Sequence, residues 1–170
     1  MEFFEVVNSR RSVRKYLPQP VARDALERIV AAGIEAPTGC NLQLKQYVIV
    51  DDPNLLAKIR PVSRALAGAP AVIVLLIAPE GTKYGEFWVQ DASAAMQNML
   101  LAAVALGYGA CWVEGQVRPR EAELAKLLAV PDELRVWSLM PVGTPAESPP
   151  RPAKPAPAEV IHYNCFGGKP

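Results

Sequence analysis

Apolar positions recur along this chain in two rhythms. Over 21–33, Val21, Ala25, Ile29, Ala32 and Gly33 fall at near-helical spacing, which predicts an amphipathic helix. Over 71–78 the apolar run is unbroken and includes Val72, Ile73, Val74 and Ile77, which predicts a strand buried on both faces. The longest helical pattern covers 87–106 and is stopped by Gly107. Shorter patterns predict a helix over 2–9, a strand over 47–50 and a helical segment over 55–66 interrupted at Pro61. A short strand over 110–113, a helix over 119–128 with Pro119 in its first turn, and a last core strand over 136–142 complete the set. Residues 10–16 form a basic connector, 36–43 a loop of small and polar residues, and 81–85 a second loop. No internal repeat is visible.

Two stretches stand apart. Residues 92–113 carry no charge over 22 positions, long enough to span a bilayer, but Ser93, Gln97, Asn98, Gly107 and Gly109 interrupt their apolarity. A buried helix followed by a turn and strand is the expectation, with no membrane segment. Between 145 and 157, six of 13 residues are proline, which favours extended backbone without internal hydrogen bonds. Beyond it, Val160, Ile161, Tyr163 and Phe166 are too apolar for a free tail, so 145–170 is expected to be an arm laid on a partner subunit. Residues 1–144 hold the main unit, and the arm belongs to the same domain.

The chain has 170 residues, of which 51% are apolar and 21% charged, enough to bury one sizeable core. A compact chain of this mass exposes about 8,000 Å². The net charge of +1 argues against a general nucleic-acid binder, which would normally carry a larger positive excess, so any basic patch is local. Cys40, Cys111 and Cys165 are odd in number and widely spaced, which suits a reducing compartment rather than a disulfide framework. Glu2 and Glu5 stand where a secretory leader needs a basic start, so a cytoplasmic protein is expected.

Three segments carry candidate chemistry. Arg10, Arg11, Ser12, Arg14 and Lys15 place four cations and a hydroxyl within six residues. Guanidinium forks match phosphate oxygens, and in a near-neutral chain such a patch suits one compact anion; a solvated basic face would look the same. The run Pro37-Thr38-Gly39-Cys40-Asn41-Leu42-Gln43 lets a ligand approach backbone, with Asn41 as donor and acceptor, or is an ordinary connection. Gly107-Tyr108-Gly109 follows a helix and lacks a third glycine, so it is not a dinucleotide fingerprint. Glu114-Gly115, just beyond it, offers backbone N–H groups to a flat ligand. His162 is the only histidine and lies in the tail, which argues against a histidine-rich metal site and a Ser–His–Asp enzyme. Reactivity would then be borrowed from a cofactor.

Taken in order, these pieces resemble the nitroreductase family of FMN-dependent oxidoreductases. The resemblance runs from Arg10-Arg11-Ser12-Val13-Arg14-Lys15-Tyr16 through Ala32-Gly33 and Pro37–Gln43 to Asp91 and Gln97-Asn98-Met99-Leu100-Leu101-Ala102-Ala103. It continues through Leu106-Gly107-Tyr108-Gly109, Trp112-Val113-Glu114-Gly115 and Val142-Gly143 to His162-Tyr163-Asn164. It implies an α+β fold with a mostly antiparallel sheet flanked by helices, in an intertwined homodimer with FMN at the interface. It implies that Arg10, Arg11, Ser12 and Arg14 hold the phosphate end of FMN. Pro37, Thr38, Gly39 and Asn41 would reach the same flavin from the other subunit, and Glu114 and Gly115 would lie against its ring. Arg151 or Lys154 would add a late cation. NADH or NADPH is the implied reductant, and a nitroaromatic, quinone or similar small molecule the acceptor, in ping-pong order. The same resemblance also covers dehalogenation, enoyl reduction, dehydrogenation and flavin breakdown, and a non-catalytic polyanion-binding module is the rival from another class. The chain departs from the family at Leu44-Lys45, where Pro-Trp is usual, and at Thr38, where Ser is usual.

Overall fold

A computed structural model describes residues 1–79 and 87–170. The strand β2 (Ala71–Ile77) lies at its centre. Ala71, Ile73, Leu75 and Ile77 face one apolar layer, and Val72, Val74 and Leu76 face the other. An unbroken apolar strand requires cover on both sides, and the chain supplies it. On one face lie α2 (Arg23–Ile34) and α4 (Trp88–Ala105). On the other lie α3 (Pro53–Ile59), two 3-10 turns at Arg60–Val62 and Arg64–Leu66, and α5 (Glu121–Leu127).

Antiparallel pairing joins β2 to β1 (Lys45–Val50) on one side and β4 (Arg135–Gly143) on the other. β3 (Gly109–Ala110) adds to β4, giving the order β1-β2-β4-β3. The fold is therefore α+β, an antiparallel sheet between helical layers, as the sequence led one to expect. The loop expected over 81–85 lies outside the described residues.

Several boundaries differ from the sequence pattern, each for a local reason. α3 starts at Pro53 because the Asp52 carboxylate accepts the Leu55 N–H at 2.8 Å, a helix cap the apolar pattern does not register. The helical segment expected over 55–66 stops at Ile59, and Pro61 draws residues 60–62 into 3-10 geometry. The strand expected over 110–113 shrinks to Gly109–Ala110 plus a lone bridge between Val113 and Leu139. In that register Cys111 falls opposite Pro141, which has no N–H to give, so the ladder skips a step. Beyond Pro150 the tail is exposed to solvent except at Gly168, and this includes its one short helix, α6 (Pro157–Val160), which buries no residue.

The connector after α1 (Phe3–Ser9) runs along the edge of β3. The Val13 N–H donates to Ala110 O at 2.9 Å, and the Leu17 N–H to Thr144 O at 2.9 Å. Glycine permits this approach. A Cβ on Gly109 would sit 2.8 Å from both Cβ and Cγ1 of Val13, and one on Gly143 would sit 3.0 Å from Tyr16 Cδ1. Val13 is buried and stiff at χ1, so it has little room to yield. Gly109→Ala is therefore expected to cost about 1–3 kcal/mol of stability in urea denaturation. Combining it with Val13→Gly, which removes the Cβ as well as both methyls, should cost less than the two single losses added together; strict additivity would show that the two residues do not collide.

Candidate functional site

The connector brings one group of nominated residues together. Ser12 bridges Ala110, and the Arg14 N–H donates to Glu147 Oε1 at 2.8 Å. Arg11 turns back on α1, donating to Asn8 O at 2.8 Å and Arg10 O at 2.7 Å. Arg151 also reaches Asn8, at a long 3.4 Å from its Oδ1. Lys154 is exposed and has no side-chain partner among the described residues. Four and five residues past Ala110, Glu114 and Gly115 form an open turn, at most about 18 Å along the chain from the Ser12 bridge. The Glu114 carbonyl is taken by the Val117 N–H at 2.8 Å, and an added Cβ on Gly115 would meet nothing within 4 Å.

Beneath the arginines lies the buried Cys111. Burial pushes its thiol up, while the charges of Arg14 and Arg10 and hydrogen bonding to Ser12 pull the other way. Tyr16 is driven far above its ordinary value by burial, and its hydroxyl donates to Val13 O at 2.5 Å. Beside this platform a cleft of about 630 Å³ is lined by Arg11, Val13, Val104, Tyr108 and Glu147 among others.

Pro37, Thr38, Gly39 and Asn41 lie elsewhere. Their loop packs on the first turn of α4, where the Gly39 N–H donates to Asp91 Oδ1 at 2.9 Å. Thr38 Oγ1 accepts the Gln43 N–H at 3.2 Å, and Gln43 Nε2 donates to Asn41 Oδ1 at 2.6 Å. Val104, beside the arginine platform, is thirteen residues further along α4 than Asp91, so about 20 Å separates them along the axis. One chain therefore holds two groups of nominated residues at opposite ends of one helix and does not bring them together.

Two residues of the loop's foundation, Asp91 and Lys45, stood out in the sequence only as a point of resemblance to the family and a departure from it, without the role the structure gives them. Lys45 is buried, 8% exposed, and its Nζ donates to Ala36 O at 2.8 Å. Asp91 is 6% exposed within the apolar face of α4. Both were legible in principle. Lys45 alternates with Tyr47 and Ile49 onto the inner face of β1, and Asp91 sits next to Ala92 on the buried stripe of its helix. Burial lowers the Lys45 pKa, partly opposed by the Asp91 charge.

Comparisons with known proteins bear on the family and the fold. Residues 7–66 and 62–144 match the profile of the Nitroreductase family. An Archaeoglobus fulgidus protein with the provisional name NADH dehydrogenase/NAD(P)H nitroreductase is 35% identical over 153 residues, covering 86% of this chain and 87% of that protein. A Parabacteroides distasonis structure with the same provisional name superimposes with a TM-score of 0.85 at 29% identity, covering 96% of this chain and 98% of the other. A Desulfovibrio desulfuricans protein provisionally called a nitroreductase, solved in complex with FMN, gives a TM-score of 0.82 at 31% identity, covering 98% of each chain. Among the described residues no helix is long and apolar enough to cross a membrane.

The lowered Lys45 pKa has a signed consequence. Between the depressed folded value and the ordinary 10.5, the unfolded chain binds a proton at Lys45 that the folded chain does not, so stability rises with pH. Denaturation of wild type and Lys45→Met across that alkaline window should show the rise in wild type and its loss in the variant. Parallel pH profiles would refute the burial of the ammonium group.

Proposed function

The chain belongs to the nitroreductase family, and from that premise we propose that it is an FMN-dependent oxidoreductase. It takes electrons from NADH or NADPH and gives them to a small acceptor such as a nitroaromatic or a quinone. The observation that carries this is the state of the arginines. The ion pairs among the described residues are Arg23–Asp51, Arg120–Glu123 and Arg135–Glu121, and none of them uses Arg10, Arg11 or Arg14. Arg11 and Arg14 donate only to backbone carbonyls, so their charge is not neutralised by a carboxylate, and such guanidinium groups beside the Ser12 hydroxyl fit a phosphate, which wants several cations and donors at once. The FMN-bound relative from Desulfovibrio desulfuricans supports the same cofactor.

When bound, FMN would supply the redox chemistry, accepting two electrons from the reduced nicotinamide and passing them on. The chain's residues bind and orient. Arg10, Ser12 and Arg14 would hold the phosphate, with Arg11 fixing their backbone through its grip on α1. Arg151 is the better placed of the two late cations, being already at Asn8. The Gly115 N–H meets no acceptor among the described residues and offers the ring a donor. Both substrates would use one open face in turn, which gives ping-pong order.

A second copy completes the site in this reading. Thr38, Gly39 and Asn41 stand at the far end of α4 from the arginines, so one compact ligand meets both groups only if another chain supplies the loop. Exposed surface supports the pairing. The chain exposes 10034 Å², about 2,000 Å² more than a compact monomer of its mass. Phe3 and Phe4 on α1, with Ile161 and Phe166 in the tail, are among the exposed apolar side chains. Residues 145–170 would be the arm that covers the partner.

Purified protein is expected to be yellow and dimeric in sedimentation, and anaerobic NADH or NADPH should bleach its visible absorption. Arg14→Gln should weaken FMN binding by about tenfold or more, as expected for a lost charge-assisted hydrogen bond. A colourless protein that takes up no added FMN would overturn the proposal.

A further inference from the structure

Residues 37–43 hold an unfavourable backbone. Cys40, Asn41 and Gln43 have φ of 52°, 57° and 54°, in the left-handed region, and none is a glycine. Such a conformation persists only where its surroundings over-determine it. The hydrogen bonds from Gln43 to Thr38 and Asn41 tie the loop to itself, not to the fold. The anchors come from beneath. Lys45 Nζ grips Ala36 O, just before the loop, and Asp91 Oδ1 grips the Gly39 N–H at its middle. Both anchoring side chains are buried, while Cys40 and Asn41 are exposed on the loop's outer side. Opposite charges stand under one loop in an otherwise apolar layer.

We propose that Lys45 and Asp91 are positioning residues, a buried pair of opposite charges that presents Thr38 and Asn41 to the cofactor without touching it. This rests on the FMN reading above and assigns Lys45 a task in place of the aromatic usual at that position. Stability alone does not explain the pair. Charges buried in an apolar layer pay heavily for lost hydration, and apolar side chains of similar volume commonly serve the fold as well. What the pair supplies is direction, one grip on a carbonyl and one on an N–H three residues later.

The test measures FMN affinity by flavin fluorescence for wild type, Lys45→Met, Asp91→Ala and Asp91→Asn. Each of the first two variants should lose at least about tenfold in affinity, because a small displacement of positioning backbone is costly. Asp91→Asn keeps an oxygen for the Gly39 N–H and should recover part of the loss. The Lys45→Met, Asp91→Ala double variant should lose far less than the product of the single losses. At saturating FMN the visible circular dichroism of the bound flavin should differ from wild type, which a simple loss of stability would not produce. Should Asp91→Ala fail to fold, Lys45→Met and Asp91→Asn carry the test. Wild type that binds FMN, with folded variants binding it within twofold and giving an unchanged spectrum, overturns this inference alone. Wild type that takes up no FMN brings down the cofactor reading, and this inference with it.

Discussion

Residues 12–17 belong to neither a helix nor a laddered strand, so their backbone must find hydrogen bonds in other parts of the chain. They find them on two sides. Val13 donates to Ala110, Leu17 donates to Thr144, and the Lys15 carbonyl accepts from the Ala146 N–H at 2.9 Å. Strand ends far apart in sequence thus hold one short basic segment. Gly109 and Gly143 let it lie close, and Tyr16 locks it by donating to Val13 O. Four cations on a free loop would be a diffuse positive cloud. On this clamp the backbone beneath Arg14 and Lys15 has a fixed origin, and Arg10 and Arg11 lead directly into it.

The opposite end of α4 solves a different problem. There the loop has no strand edge to lean on and uses side chains instead. The cost is two charged groups inside an apolar layer, met by a carbonyl, an amide and each other's opposite charge. The helix α4 links both arrangements. Its apolar stripe of Ala92, Met96, Met99 and Ala103 seats it on the sheet, and Gly33 of α2 comes so close that an added Cβ would lie 2.8 Å from Met99 Cγ.

Much of this was legible in the sequence. The unbroken apolar run of β2 announced a strand covered on both faces, and the spacing of Ala25, Ile29 and Gly33 announced the stripe of α2. The connector's cations and the small residues of 37–43 were visible as segments that chemistry would use. The features that failed to show were those set by partners distant in the chain. The break after Ala110 depends on Pro141 lying opposite Cys111, which only the register reveals. The burial of Lys45 and Asp91 depends on two elements meeting beneath a loop. A period of two or of 3.6 tells which face a residue occupies, not which charge waits on the neighbouring element.

The Ser12–Ala110 bridge also has a meaning for the sheet. β3 is the terminal strand on its side, and it is only two residues long. Its outer rim is protected twice, by being so short and by the connector that lies across it. The segment that carries the cations is therefore also the guard of that rim. Any condition that peels it away uncovers a sticky border, so damage at this spot should surface first as clumping of otherwise folded molecules.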